Sequence, residues 1–325
     1  MSWASQMSSD RDPNGVVIFG GTASAVLTDR VCAYLKISRG RAAVSRFPDG
    51  ETLVKVEEDV RGKDCFVVQS TCPPVNDNLM ELLIFIDCLR RASAKRITAV
   101  IPYYGYARQD RKSEGRTPIT AKLVANMITS AGANRVLTMN LHADQIQGFF
   151  DLPVDHLTAA PVLAKHFSDR HLQEAVLVSP DVGNVKFGND FASRIGGELA
   201  VIHKRRLTGD STVAVNIIGD VKGKKVMMFD DMITTAGTVC EACKLVRERG
   251  AVAVYVAATH GVFAGPALER LAAAEFNEIV VTDTIETPPR ITERLKNLTI
   301  LSVANLVGEA IRRIHEHQSV SALFY

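Results

Sequence analysis

Short apolar runs that alternate with longer amphipathic segments constrain the fold of this chain more than any other feature. The runs span residues 16–19, 65–69, 97–101, 136–139, 176–178, 226–229, 252–257 and 278–281. Buried runs of this length, separated by helical patterns, predict α/β architecture with mostly parallel sheets flanked by helices. Open sheets of this kind bind ligands beyond the carboxyl ends of their strands, so functional residues are expected there.

A weak internal repeat predicts two similar domains. Gly62-Lys63-Asp64 introduces one apolar run and Gly223-Lys224-Lys225 introduces another, and each is followed by a loop, a helical pattern and a further strand. Duplication of a Rossmann-like unit explains this, although two unrelated strand-helix-strand units can also look alike. We expect a flexible tail at 1–14, a first domain at 15–155 and a second at 156–308.

Composition excludes several classes of protein. The 325 residues are 46% hydrophobic and 23% charged, with a formal net charge of +2, which indicates binding neither to nucleic acid nor to a membrane. Six cysteines are too few for a disulfide scaffold. Cys240 and Cys243 form a lone Cys-x-x-Cys, which we interpret as packing thiols rather than a metal or redox site. With no signal peptide pattern, we expect a cytoplasmic protein.

The segment after the run at 226–229 carries the clearest chemistry. It consists of Asp230, Asp231, Met232, Ile233, Thr234, Thr235, Ala236, Gly237 and Thr238, and a helix is predicted from 239 to 249. Backbone N–H groups at a helix start, together with threonine hydroxyls and a glycine, suit a phosphate monoester. Two carboxylates suit a vicinal diol or a hydrated magnesium ion. Both features describe ribose 5-phosphate; the alternative is an ordinary capped helix.

Three other polar segments are ambiguous from their residues alone. Arg108 and Gln109 follow one strand and suit a nucleotide, but such loops are commonly solvated surface. His142 follows another strand, where a lone histidine is commonly structural. Lys204-Arg205-Arg206 opens a polar stretch without periodicity, which predicts a mobile loop that is either a solvated turn or a substrate clamp.

The loop at 230–238 resembles the phosphoribosyl-pyrophosphate binding signature, which phosphoribosyltransferases share with ribose-phosphate pyrophosphokinases. Other segments resemble the pyrophosphokinases of the common class I; these are residues 46–51, 69–82, 104–111, 141–150, 204–206 and 309–313. The resemblance covers nearly everything after the first fifteen residues. It implies two phosphoribosyltransferase-like domains, with the C-terminal segment 309–325 packing on the first.

The resemblance also implies a reaction and a set of site residues. The family transfers the β,γ-diphosphate of Mg-ATP to the C1 hydroxyl of ribose 5-phosphate, giving 5-phosphoribosyl 1-pyrophosphate and AMP. The implied catalytic residues are Lys204 and Arg206, and the implied metal (Mg²⁺) residues are His142 and Asp181. The implied ATP-binding residues are Phe47, Asp49, Glu51, Arg108, Gln109 and His142. The loop residues Asp230, Asp231, Thr234, Thr235, Ala236, Gly237 and Thr238 are implied to bind the sugar phosphate.

Assembly and regulation follow from the same resemblance. Phe47, Asp49 and Glu51 are expected to contribute adenine contacts to the site of a neighbouring subunit, which implies a homo-oligomer, a hexamer built from dimers. Phosphate and ADP are the expected allosteric ligands, near residues 111–116 and near Ser319 and Ser321.

The chain departs from the family pattern at three site positions. Asn140 and Thr234 each stand where the family usually has an aspartate, and Asn184 stands where it usually has a glycine. These departures leave two alternatives to an active synthetase. One is a weakly active or regulatory paralogue of the same family, and the other is a phosphoribosyltransferase.

Overall fold

The computed structural model describes residues 15–170, 172, 175–179, 196, 199–206 and 213–323. These form two compact units. One comprises the described residues up to Leu157 together with Thr284–Glu286 and those from Val303 onwards, and the other comprises those within Thr158–Asp283 and Thr287–Ser302. Within the described ranges, no helix is both long and apolar enough to cross a membrane.

The first unit is built on a five-stranded parallel sheet with the order β1-β4-β5-β6-β7. Its strands are β1 (Val16–Gly20), β2 (Ala42–Arg46), β3 (Thr52–Val56), β4 (Asp64–Val68), β5 (Arg96–Ile101), β6 (Arg135–Met139) and β7 (Val154–Leu157). Its helices are α1 (Ala25–Leu35), α2 (Val75–Arg91) and α3 (Thr120–Ala131), and a later α8 (Ala304–His315) completes it. Strands β2 and β3 form a separate antiparallel hairpin.

The central strands of this sheet are apolar because both faces are covered. All five residues of β4 are buried, as are five of the six in β5. Helix α2 buries Leu82, Phe85 and Ile86 in the same core cluster. Such continuous burial is typical of parallel sheets with helices on both faces.

Helix α8 belongs to the first unit although it lies near the end of the chain. Gly308 allows close packing on α1, since a Cβ there would lie 2.6 Å from the Tyr34 ring. At the other end of the helix, His315 Nδ1 lies 2.9 Å from Asp64 Oδ2, and Asp64 is also paired with Arg96. Apolar burial and a charged cluster therefore both fix α8 to this unit.

The second unit contains a seven-stranded sheet with the order β10-β9-β8-β11-β12-β13-β14. Its strands are β8 (Val176–Ser179), β9 (Leu199–Arg206), β10 (Val213–Ile218), β11 (Lys225–Ile233), β12 (Ala253–Gly261), β13 (Glu278–Thr282) and β14 (Leu298–Leu301). Its described helices are α4 (Ala160–Ser168), α5 (Gly237–Glu248), α6 (Ala267–Ala273) and α7 (Pro289–Arg294). Only β10 pairs antiparallel among these strands.

The two units repeat one arrangement. Each starts with a strand, continues into an antiparallel pair, and then adds four parallel strands in chain order. In the first unit the pair β2-β3 is detached, whereas in the second β9-β10 extends the main sheet beside β8. This common order is what the duplication hypothesis predicts.

All eight strands predicted from the apolar runs are present, and the predicted α/β class is confirmed. The prediction of a mobile loop beginning at Lys204 is wrong for its first three residues. Positions 204 to 206 are strand and pair with β10, so that Lys204 lies opposite Val215 and Arg206 opposite Val213. Backbone hydrogen bonds to β10 keep these residues in a strand. Their polar sequence did not indicate this pairing.

Candidate active site

Two carboxylates of the second unit lie within a strand, not after it. Sequence placed the end of the strand at Phe229, but β11 continues to Ile233 because β12 extends alongside it, pairing Asp230 with Ala258. Asp230 and Asp231 are half-buried. The Asp231 N–H donates to Asp230 Oδ1 at 2.9 Å. The ladder thus holds two adjacent acids at the carboxyl end of a central strand, where α/β sheets bind ligands.

The turn that follows β11 is held by backbone hydrogen bonds from the segment after β12. Ala264 N–H donates to the Thr234 carbonyl at 2.8 Å, and Phe263 N–H donates to the Ile233 carbonyl at 3.0 Å. Thr234 is half-buried, whereas Thr235 and Thr238 are exposed. Two of the three threonine side chains of the turn are therefore open to solvent.

Helix α5 begins directly at this turn. Ala236 is its N-cap residue, with left-handed φ and ψ of 59° and 9°, and Gly237 is its first helical residue. The Ala236 carbonyl accepts from Cys240 N–H at 3.1 Å. The first N–H groups of a helix lack intrahelical partners and carry positive partial charge. A phosphate group therefore suits this end of α5, next to Asp230 and Asp231.

In the first unit, three predicted ATP residues lie on the turn of the β2-β3 hairpin. Phe47, Asp49 and Glu51 are all exposed, and 48% of the surface of Phe47 is accessible to solvent. Phe47 N–H donates to the Glu51 carbonyl at 2.9 Å, and Glu51 N–H donates to Asp49 Oδ1 at 3.1 Å. The hairpin fixes the three residues relative to one another on the surface of this unit.

The other predicted ATP residues follow two neighbouring parallel strands. Arg108 and Gln109 lie in the loop after β5, and His142 lies in the loop after β6; all three are exposed. The loops are joined by a hydrogen bond of 2.9 Å from Gln145 Nε2 to Asp110 Oδ2. The first unit therefore brings Arg108, Gln109 and His142 to the same edge of its sheet.

A half-buried histidine supports the loop that contains His142. Leu141 N–H donates to His156 Nε2 at 2.9 Å, so this nitrogen carries no proton. Asn140, which precedes Leu141, has a positive φ of 37°. Burial lowers the pKa of His156, and the Asp144 carboxylate opposes this effect in part. His156 has no sequence signal for this role, since only the β6-β7 register brings it to Leu141.

The remaining predicted site residues are less fully placed. Lys204 and Arg206 are in β9, while Asp181 and Asn184 lie outside the described residues. The predicted regulatory residues Ser319 and Ser321 are exposed in the C-terminal segment. The carbonyl of Ser319 accepts from Arg313 Nη1 at 2.9 Å.

The described oxygen ligands at the turn suit a hydrated magnesium ion rather than a metal ion held by protein side chains alone. Over the described part of the chain, no three His, Cys, Asp or Glu side chains gather around a common point. Magnesium keeps several waters and is commonly held by one or two carboxylates and substrate phosphates. Asp230 and Asp231 supply suitable oxygens, whereas the imidazole of His142 is a poorer direct ligand.

The cysteine pair lies on α5 behind the turn. Cys243 is buried in the core of the second unit and Cys240 is half-buried, and both are free thiols. Burial raises the pKa of each to about 11. Because the thiolate is the reactive form, both groups are unreactive, as expected of packing residues.

Comparison with known proteins identifies the family. Residues 16–132 match the model of the N-terminal domain of ribose phosphate pyrophosphokinase, and residues 206–325 match the phosphoribosyl synthetase-associated domain. A ribose-phosphate pyrophosphokinase of Rhodopirellula baltica is 58% identical over 94% of this chain and 98% of its own length. The chain belongs to the ribose-phosphate pyrophosphokinase family.

Further relatives agree with this family. The ribose-phosphate pyrophosphokinase of Synechococcus elongatus is 52% identical over 100% of this chain and 98% of its own. The crystal structure of phosphoribosylpyrophosphate synthetase from Mycobacterium smegmatis superposes with a TM-score of 0.88 at 44% identity, covering 93% of this chain and 99% of that one. The prediction of a diphosphate-transferring enzyme is confirmed over the phosphoribosyltransferase alternative.

Proposed function

We propose that the turn after β11 binds ribose 5-phosphate and that the loops after β5 and β6 bind ATP. The single observation that carries the proposal is the position of Asp230 and Asp231 beside the N-terminus of α5. The helix start and the hydroxyls of Thr235 and Thr238 are suited to the 5-phosphate. The two carboxylates are suited to accept hydrogen bonds from the ribose diol.

In the proposed reaction, the C1 hydroxyl of ribose 5-phosphate attacks the β-phosphorus of ATP. The bond from that phosphorus to the α-phosphate oxygen breaks, AMP leaves, and the hydroxyl proton passes to solvent. Transfer of this kind depends on positioning and charge neutralisation. Lys204 and Arg206 supply positive charge toward the transferred diphosphate, while Arg108 and Gln109 orient the nucleotide.

We propose Mg²⁺ as the cofactor, held by Asp181 with His142 through water or a phosphate. The ion neutralises phosphate charge when it is bound. Asp230 and Asp231 orient the sugar and can accept hydrogen bonds from waters of the ion. Removal of divalent cations with a chelator should abolish AMP formation, and magnesium should restore it.

Assembly and regulation extend the proposal. The exposed position of Phe47 on the hairpin supports its use by a neighbouring subunit in a homo-oligomer, and we propose a hexamer. Light scattering of the purified protein tests this, and a monomer would contradict it. Phosphate activation and ADP inhibition through residues 111–116, Ser319 and Ser321 are proposed, and an unchanged rate with added phosphate would count against them. The expected compartment is the cytoplasm.

The deciding experiment is an assay of AMP formation by the purified protein with ATP, magnesium and ribose 5-phosphate. Ribose without the 5-phosphate is the matched control substrate, and no nucleobase is added. AMP and a phosphoribosyl pyrophosphate product should form only with ribose 5-phosphate. No turnover above background would favour the regulatory paralogue.

A further inference from the structure

Arg270, on helix α6, contacts the phosphate-binding turn from outside the motif. Its Nη1 donates to the carbonyl of Thr235 at 3.0 Å. It also lies close to the first residue of α5, since a Cβ on Gly237 would be 3.2 Å from the same nitrogen. The guanidinium therefore touches the turn at its middle and at the start of the helix.

This hydrogen bond fixes the orientation of one peptide group in the turn. The Thr235 carbonyl and the Ala236 N–H belong to the same planar peptide, where the two groups point in opposite directions. Because the carbonyl faces Arg270, the Ala236 N–H faces the other side of the turn. Ala236 also has a left-handed conformation, with φ of 59°, which is unfavourable for a residue with a Cβ. Such a conformation persists where neighbouring groups hold it.

We propose that Arg270 is a positioning residue for ribose 5-phosphate. By holding the Thr235 carbonyl, it keeps the turn in the conformation in which the N–H groups at the start of α5 receive the 5-phosphate. Arg270 acts through the peptide and does not itself bind the substrate. The inference rests on the proposed function, in which this turn is the sugar-phosphate site.

A cavity beside Arg270 allows the proposal to be tested by chemical rescue of a shortened side chain. The cavity has a volume of about 620 Å³ and lies between α5 and α6, and Arg270 lines it together with Cys240, Lys244 and Ala274. Shortening Arg270 to alanine would open its place to this cavity. A free guanidinium ion could then enter and donate to the Thr235 carbonyl in place of Arg270 Nη1.

The experiment compares Arg270→Ala and Arg270→Met with Glu269→Ala, which removes a charge from an exposed neighbour on the same helix. Loss of a charged hydrogen bond that orders the turn should raise the KM for ribose 5-phosphate about tenfold to a hundredfold in Arg270→Ala. The KM for ATP should stay within about twofold of the wild-type value, because the substitution weakens the binding of ribose 5-phosphate only. Glu269→Ala should match the wild type in both.

Millimolar guanidinium chloride should lower the ribose 5-phosphate KM of Arg270→Ala at least threefold (about half of one decade of affinity). Tetramethylammonium chloride at equal ionic strength, which has no N–H donor, should not, and neither salt should improve the wild type or Glu269→Ala. A wild-type ribose 5-phosphate KM in Arg270→Ala would overturn the proposal. So would parallel losses in both KM values and kcat that guanidinium does not reverse, because these indicate general destabilisation.

One further variant separates this proposal from the proposed function. Asp231→Asn should weaken ribose 5-phosphate binding if the turn is the sugar-phosphate site. If Asp231→Asn has no effect, the site assignment itself fails. If Asp231→Asn is impaired and Arg270→Ala is not, only the positioning role fails. If Arg270→Ala does not fold, Arg270→Met, which keeps a long side chain but has no donor, provides the same comparison, and a KM for ribose 5-phosphate unchanged in that variant would overturn the role.

Discussion

The hydrogen bond from Leu141 N–H to His156 gives a prediction about stability. In His156→Leu, the acceptor is lost and the backbone N–H stays buried beneath a side chain of similar size. An unsatisfied buried donor costs about 1–3 kcal/mol. For a unit of this size, 1 kcal/mol corresponds to about 2–4 °C in melting temperature, so His156→Leu should melt about 2–12 °C lower at pH 8. His156→Gln, whose Oε1 can replace Nε2 as acceptor, should lose less.

The same bond predicts a pH dependence with a defined sign. Burial lowers the pKa of His156 in the folded protein below its usual 6.5. Below pH 6.5 the unfolded chain therefore binds this proton more readily than the folded protein does, so stability falls as the pH falls. The slope contributed by one group is at most about 1.4 kcal/mol per pH unit. His156→Gln lacks this contribution.

Thermal melts of the wild type and of His156→Gln between pH 5 and 8 provide the measurement. Comparing the two proteins removes the contributions of the other histidines, which both contain. The difference between their melting temperatures should shrink or reverse as the pH falls below 6.5. A constant difference across this range would refute the reasoning. A wild-type melting temperature for His156→Leu at pH 8 would show that the Leu141 N–H finds another partner.

Three further substitutions test the site. Thr234→Asp should lower the KM for ribose 5-phosphate or raise kcat by about tenfold, the value of one charged hydrogen bond; unchanged kinetics would make Thr234 a tolerated variant. Gly105→Ala puts a Cβ 2.4 Å from the Thr71 carbonyl, so a loss of about 1–3 kcal/mol in melts is expected, whereas Gly115→Ala, with nothing within 4 Å, should be neutral.

The sequence predicted the buried strands because their apolar runs require no knowledge of partners. It missed β2, β3, β7, β9, β10 and β14, which lie at sheet edges or in antiparallel pairs and become strands only through pairing. The end of β11 was placed too early for the same reason, since Asp230 and Asp231 stay in the ladder only because β12 is equally long.

Motif reasoning located the turn, but not the residues that support it. Arg270 is 35 positions from Thr235, and their contact depends on how α6 follows β12. His156 reaches Leu141 only through the pairing of β6 with β7. Neither side chain belongs to a local pattern, so three-dimensional register was needed to find them. Lys204 was expected in a loop for a related reason, because the polar sequence of β9 conceals its pairing with β10.

The position of α8 has a consequence for the order in which this protein can be made. The helix that packs on α1 and pairs His315 with Asp64 comes from the last part of the chain. During synthesis, residues up to Leu157 leave the ribosome long before α8 exists, so the surface of α1 beside Tyr34 stays uncovered until translation ends. A nascent chain stalled before residue 303 should therefore be more sensitive to protease at α1 than the released protein. The first unit to be translated is the last to be finished.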